Sequence, residues 1–240
     1  MELFVHVFFV DMVSLSDRNL GSTETQIKKL ETMFCYITNS KILKNSQNSK
    51  IFSHTGDGVA ICFTENPRLP LELAIDLHKK LNRFNKKKPK KEKILVRIGI
   101  NSGLISKTRG VKGQGNYWGR GLIHAQRIMS AGYASHILLS ANTAQELIEI
   151  SDEYEQNIHY VGYIKIKHEG VIPVYSAYGE DFGNKDNSKF TKQPIQEESG
   201  RVIFEGLKKN EINPKKLLEL SKQNKQTKLS LSSKKKRRKN

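Results

Sequence analysis

Cysteine is scarce in this chain. Two occur in 240 residues, Cys35 and Cys62, and neither belongs to a CxxC pair or a Cys/His cluster. That argues against structural zinc and predicts two reduced thiols in apolar core surroundings, as in proteins of a reducing compartment. Long hydrophobic runs are missing too. The N-terminal run Leu3–Val10 is too short to span a bilayer and stops at Asp11. Neither a basic leader nor a small-residue cleavage site accompanies it, so no membrane helix and no signal peptide are expected, and the expected location is cytoplasmic. There is no internal repeat and no glycine-rich phosphate loop. Acidic residues are also in deficit, 24 Asp and Glu against 41 Lys and Arg, for a formal net charge of +17.

The basic excess is uneven. Residues 181–240 hold 17 Lys/Arg and 7 Asp/Glu, a net +10, which leaves +7 for residues 1–180. Residues 1–180 read as one domain. Residues 181–240 read as a basic, largely disordered tail that ends in SSKKKRRKN. Such a balance favours anionic partners: nucleotides, nucleic acid or an acidic lipid surface. The tail lacks the interleaved aromatics of a single-strand binder, so nucleic-acid or membrane contact by the tail is the weaker expectation and a solubilising role the simpler one.

What is present is a run of strands and amphipathic helices. Leu3–Val10 is apolar throughout, which suits a strand buried on both faces. Ser22 or Thr23 caps a helix whose apolar stripe is Ile27, Leu30, Phe34 and Ile37. Residues 39–50 form a polar connection. Ile51–Phe63 reads as strand, tight Asp-Gly turn, strand. Pro67–Phe84 is a second amphipathic helix, with His78 in its polar half, a surface position. A lysine-rich loop follows, then the strand Ile94–Ile100 and its continuation to Gly103. A helix is expected after Gly119 to Ala131, then a strand at Ile137–Ser140, a helix at Ala141–Ile150 and a strand pair at His159–Lys167 and Val171–Tyr178. The order of the first half describes a ferredoxin-like α+β unit, with helices on one face of a mainly antiparallel sheet.

Two carboxylates stand out. Asp11 ends the first strand and Asp57 sits at the glycine-flanked hairpin. Read alone, Asp57 is equally a turn-former and Asp11 a helix N-terminal charge. Together they could hold divalent cations, because Mg²⁺ takes hard oxygen ligands from one or two carboxylates plus substrate phosphates. Backbone N–H groups in the segment from Met12 to Ser16 could also meet phosphates.

Four blocks then carry a resemblance. FFVDMVSLS, HTGDGVAICF, VRIGINSG and YWGRGLIHAQRIMSAGYASHILLS resemble, in order, the signature segments of the catalytic domain of class III adenylate and guanylate cyclases, from Phe8 to about Tyr178. The resemblance implies the nucleotide cyclase fold and a site formed between two such domains, in a homodimer or with another cyclase domain. It implies a phosphorus–oxygen lyase that turns ATP or GTP into a 3′,5′-cyclic nucleotide for intracellular signalling. Asp11 and Asp57, with the Met12 carbonyl assisting, match the positions that hold two Mg²⁺ or Mn²⁺ ions. Arg127 matches the arginine that stabilises the charged transition state. Three positions depart from the family pattern. The base-selecting Lys and Asp are Ser53 and Asn116 here, and the ribose-orienting Asn is Ile123, which has no hydrogen-bonding group. The metal half of the site is therefore intact and the base and ribose half altered. That leaves an active cyclase as the main reading. The alternatives are a nucleotide-binding regulatory relic, a half-site partner, or a scaffold for the basic tail.

Overall fold

At the centre of the molecule is β1 (Glu2–Met12), in a computed structural model that describes residues 2–13, 22–46, 50–54, 56–109, 115–166 and 170–190. Val5, Val7 and Phe9 point to one face of this strand, and Phe8, Val10 and Met12 to the other. All six are buried. A strand that is apolar on both faces needs cover on both.

β1 pairs antiparallel with β3 (Gly58–Phe63) on one side and β4 (Val96–Arg109) on the other. β3 pairs in turn with β2 (Lys50–His54). Beyond β4 come β6 (Ile137–Ser140), β8 (Gly170–Ala177) and β7 (Ile158–Ile166), giving the order β2-β3-β1-β4-β6-β8-β7. β5 (Gly115–Trp118) pairs with the far end of β4. The first four strands have the ferredoxin-like arrangement that the sequence predicts. The β4–β6 pair is parallel. Parallel neighbours need a crossover, and α4 (Arg120–Ala131) provides it.

α1 (Thr23–Thr38) and α3 (Leu69–Asn85) cover one face, packing Met33, Ile37, Leu73, Leu77 and Leu81 against Phe8, Val10, Ile61, Ile98 and Ile100. α5 (Ala141–Ile150) and α6 (Asp152–Asn157) add Ala144, Leu147 and Tyr154 to that same core. α4 covers the opposite face, with Leu122, Ala125 and Met129 against Val5, Val7, Phe9 and Ile105. The two helices of the first half, α1 and α3, thus share one face as expected, and α4 supplies the second cover that β1 demands. Each large apolar side chain so buried contributes about 1.5–3 kcal/mol.

Four local expectations also change. The polar connection contains a short helix, α2 (Lys41–Asn45), anchored by Leu43 in the core. Cys35 lies on the exposed side of α1, whereas Cys62 is buried as expected. The hairpin is not a two-residue turn. His54 pairs with Val59, Gly56 takes the positive φ of 81°, and Gly58 already belongs to β3. His78 is only 3% exposed. It is covered by residues 179–190, which run on from β8 and accept it as part of their own packing, Gly183 N–H donating to His78 Nδ1 at 3.3 Å. Burial pushes the His78 imidazole down to about 4.

Residues 179–190 pack against the domain as one stretch. Phe182 and Phe190 are buried at its two ends, Asn82 Nδ2 donates to Asp181 O at 2.6 Å, and Asn184 Nδ2 donates to Ala134 O at 2.9 Å. Of the basic tail expected over residues 181–240, residues 191–240 lie outside the described residues. Among the described residues no helix is long and apolar enough to cross a membrane.

Candidate active site

The cross-strand register assembles the acidic pair. Asp11 faces Gly58 across the β1–β3 ladder, so the residue just after Asp57 is the ladder partner of Asp11. Met12 N–H donates to the Asp57 carbonyl at 3.4 Å, which ties the hairpin to the end of β1. Asp11, Met12 and Asp57 are therefore brought together, as the sequence suggested. The Met12 side chain points into the core, leaving only its backbone for the site.

Asp11 is nearly buried, its side chain 11% exposed. On its other flank Arg97 is its register partner on β4. Arg97 Nη2 and Nε both donate to Asp11 Oδ2, at 2.8 and 3.2 Å. Burial raises the Asp11 pKa above the ordinary carboxylate range. The hydrogen bonds from Arg97 oppose this, and the neighbouring Asp57 charge adds to it. Two carboxylates held side by side with Oδ2 of one already engaged leave an electron-rich cleft that calls for a cation.

The donor set fits a hard divalent ion. Among the described residues no group of three or more His, Cys, Asp or Glu is assembled for a metal. An ion at Asp11 and Asp57 would therefore complete its shell with oxygens from outside these two side chains, the habit of Mg²⁺ at phosphate sites.

α4 carries two further positions. Ile123 and Arg127 stand four residues apart, on a half-buried stripe beside the sheet-facing Leu122, Ala125 and Met129. The helix lies so close to β4 that a Cβ on Gly99 would meet Ala125 O at 2.2 Å and Met129 N at 2.6 Å. Asn101 Nδ2 donates to Gly121 O at 3.0 Å and fixes the first turn. Ser53 faces Ala60 on edge strand β2, on the α4 side of the sheet. Asn116 lies on β5 with its Oδ1 accepting from Tyr117 N–H at 2.9 Å. β2 and β5 are separated in the sheet order by β3, β1 and β4.

Arg97 is the residue that motif reading passed over. Its signal was present: it is the one charge inside the apolar run ILVRIGI, in a strand where an unpaired buried charge is costly. The residues from Ser14 to Gly21 lie outside the described residues, so the expected phosphate-facing loop there has no structural account beyond Val13.

A ferredoxin-like sheet with a carboxylate pair at the end of its central strand, and a helix seated on glycines above it, defines a class of nucleotide-handling domains. The family model for the adenylate and guanylate cyclase catalytic domain matches residues 5–178, and the chain belongs to that family. Among solved structures, the adenylyl cyclase CyaB from P. aeruginosa is similar at TM-score 0.61 and 19% identity, covering 76% of this chain and 98% of that one. The guanylate cyclase domain of RhGC from Catenaria anguillulae, solved in complex with GTP, is similar at TM-score 0.59 and 20% identity, covering 74% and 98%. A non-canonical dimeric guanylyl cyclase domain of the RhoGC fusion protein from the aquatic fungus Blastocladiella emersonii is similar at TM-score 0.56 and 20% identity, covering 75% and 98%. No match is found among curated proteins.

Proposed function

We propose that this chain is a nucleotide cyclase that converts a purine nucleoside triphosphate, ATP or GTP, to a 3′,5′-cyclic nucleotide and pyrophosphate. It would do so in the cytoplasm for intracellular signalling, as a homodimer or beside another cyclase domain. The observation that carries this reading is the juxtaposition of Asp11 and Asp57, with Arg97 holding one carboxylate oxygen.

In the reaction the ribose 3′-oxygen forms a bond to the α-phosphorus, the bond from that phosphorus to the β-bridging oxygen breaks, and the hydroxyl proton is lost. Asp11 and Asp57 would hold Mg²⁺ or Mn²⁺, with the Met12 carbonyl assisting. The chemistry that two such ions would supply there is a lowered pKa of the 3′-hydroxyl and neutralisation of the leaving pyrophosphate. Arg97 orients Asp11, and its hydrogen bonds oppose the rise in pKa that burial causes. Arg127, which is always charged and offers a fork of donors, suits a transition state whose charge spreads over phosphate oxygens. In a dimer it would serve the partner's nucleotide. Ser53 and Asn116 can donate or accept a hydrogen bond to a base, which gives looser base selection than a Lys and Asp pair. Ile123 can only pack against the ribose.

The test is cyclic-nucleotide formation by the purified chain with ATP or GTP and Mn²⁺, beside Asp57→Ala. Product that vanishes in the variant supports the reading. Asp57-dependent triphosphate binding without product would favour a half-site that needs a complementary domain. Neither binding nor product would sink it.

A further inference from the structure

The lysine-rich loop between α3 and β4 has a fixed course. Asn85, the last residue of α3, spans its mouth: the side chain accepts from Ile94 N–H and donates to Ile94 O, both at 2.8 Å. Inside the loop Lys88 Nζ lies 3.0 Å from Glu92 Oε2 and 5.3 Å from the centre of the Phe84 ring, and Glu92 N–H donates to Pro89 O at 2.9 Å. Lys29 Nζ on α1 donates to Lys91 O. Six lysines between Lys86 and Lys93 are thereby held close together with one carboxylate, Glu92, among them. Like charges fixed in this way repel one another, and a bound anion relieves the repulsion.

A cleft of about 440 Å³ opens beside the loop. Lys79, Arg83 and Lys86 line it from α3 and its C-terminal cap, and Lys93 from the end of the loop. Glu180 and Asp181, beyond the last residue of the family match, line it from the stretch that follows β8. That stretch is fastened to α3: Asn82 Nδ2 donates to Asp181 O at 2.6 Å, and Lys79 Nζ lies 3.6 Å from Asp181 Oδ1. Four cations face two carboxylates, a net charge of +2. Lys79 is paired with Asp181, and among the described residues no ion pair engages Arg83, Lys86 or Lys93. Asp11, Asp57, Arg97 and Arg127 are not part of the lining.

We propose that this cleft is a second anion site, apart from the candidate active site, and that it takes a polyol carrying several phosphate groups, either free or as the headgroup of a lipid. Arg83 offers a planar fork of donors to phosphate oxygens, and Lys86 and Lys93 offer compact point charges on flexible stems. Glu180 and Asp181 set the rest of the ligand. They repel a bare polyphosphate, and they accept hydrogen bonds from hydroxyl groups, so a ligand that carries both kinds of group fits both sides of the lining. The volume is that of a small-molecule site. The assignment goes beyond the cyclase reading and stands or falls independently of it.

Calorimetry on the full chain in EDTA, with inositol trisphosphate as the probe, tests this. Arg83→Gln and Lys93→Gln should each weaken binding about tenfold, the loss of one charge-assisted contact. Lys87→Gln removes an equal charge from the same loop outside the lining, and should bind within about twofold of the unaltered chain. Glu180→Ala should weaken inositol trisphosphate and strengthen inorganic tripolyphosphate. All four positions are exposed, so these substitutions leave the core untouched. Vesicles of phosphatidylcholine with phosphatidylinositol bisphosphate as the minor lipid separate the two sources. Co-sedimentation that needs Arg83 and Lys93, and that inositol trisphosphate competes away, assigns the lipid headgroup. Binding of the free probe without co-sedimentation assigns a soluble ligand. No binding of either kind, or equal weakening by Lys87→Gln, overturns the proposal. Tighter binding of both anions by Glu180→Ala would overturn the polyol assignment, since the cleft would then select charge alone.

Discussion

Asp11 and Arg97 are cross-strand partners, and both donors of the guanidinium fork converge on one carboxylate oxygen. The pairing opposes the rise in pKa that burial and the neighbouring Asp57 impose on Asp11. Among the described residues Arg97 is the one cation that touches Asp11, so Arg97→Ala should cost about 2 kcal/mol in unfolding by urea in EDTA. Millimolar Mn²⁺ should restore part of it by supplying the missing positive charge. An unchanged midpoint would mean that the pair contributes nothing.

Asp57→Asn should have the opposite sign. It removes the like charge that helps to raise the Asp11 pKa. In EDTA at pH 7 the variant should be more stable than the unaltered chain. Mn²⁺, which should raise the melting temperature of the unaltered chain, should leave the variant unmoved. A variant still stabilised by Mn²⁺ would place the ion elsewhere.

His78 gives a pH dependence whose sign is fixed. Its folded pKa is about 4, against an ordinary 6.5, so the unfolded chain binds the proton first. Stability is complete above about pH 6.5, falls as pH drops towards 4, and is level below that. The shift corresponds to about 3 kcal/mol. His6, His136 and His159 are also lowered by burial and add to the slope. Thermal melts at pH 7 and pH 5 should therefore differ less in His78→Leu than in the unaltered chain. An equal difference in both would exclude His78 as a source.

Gly99→Ala should be severe. Its Cβ would lie 2.2 Å from the Ala125 carbonyl, a backbone atom that cannot swing aside. α4 would have to lift from β4, taking Ile123 and Arg127 with it. A loss of about 3 kcal/mol or more in urea unfolding is expected, from overpacking of a closed core. Retained stability would show that the helix can shift at small cost.

Much of this architecture is legible in the residues. β1 reads as doubly buried because LFVHVFFV has no polar stripe, and both carboxylates of the site border apolar runs, Asp11 after Leu3–Val10 and Asp57 before Val59–Phe63. Two kinds of feature are not legible. Arg97 becomes a partner of Asp11 only through the β1–β4 register, and register between strands some 85 residues apart is set by the whole core. His78 falls on the polar half of its helix by periodicity, yet it is buried, with Gly183 of the polar stretch 179–190 donating to its ring. Helical spacing shows which face meets a sheet. It carries no information about a later segment that covers the other face. Ser53, Asn116 and Ile123 were named through the resemblance, and their roles towards a nucleotide depend on a second domain.

The course of residues 179–190 has a practical corollary. A protein cut at Tyr178, where the family domain ends, would lose the backbone N–H that meets His78 and the Phe182 and Phe190 rings that close two separate cores. Such a trimmed domain would be prone to aggregate through freshly bared apolar surface. Inactivity in it would report the missing cover and say nothing about the chemistry of the intact chain.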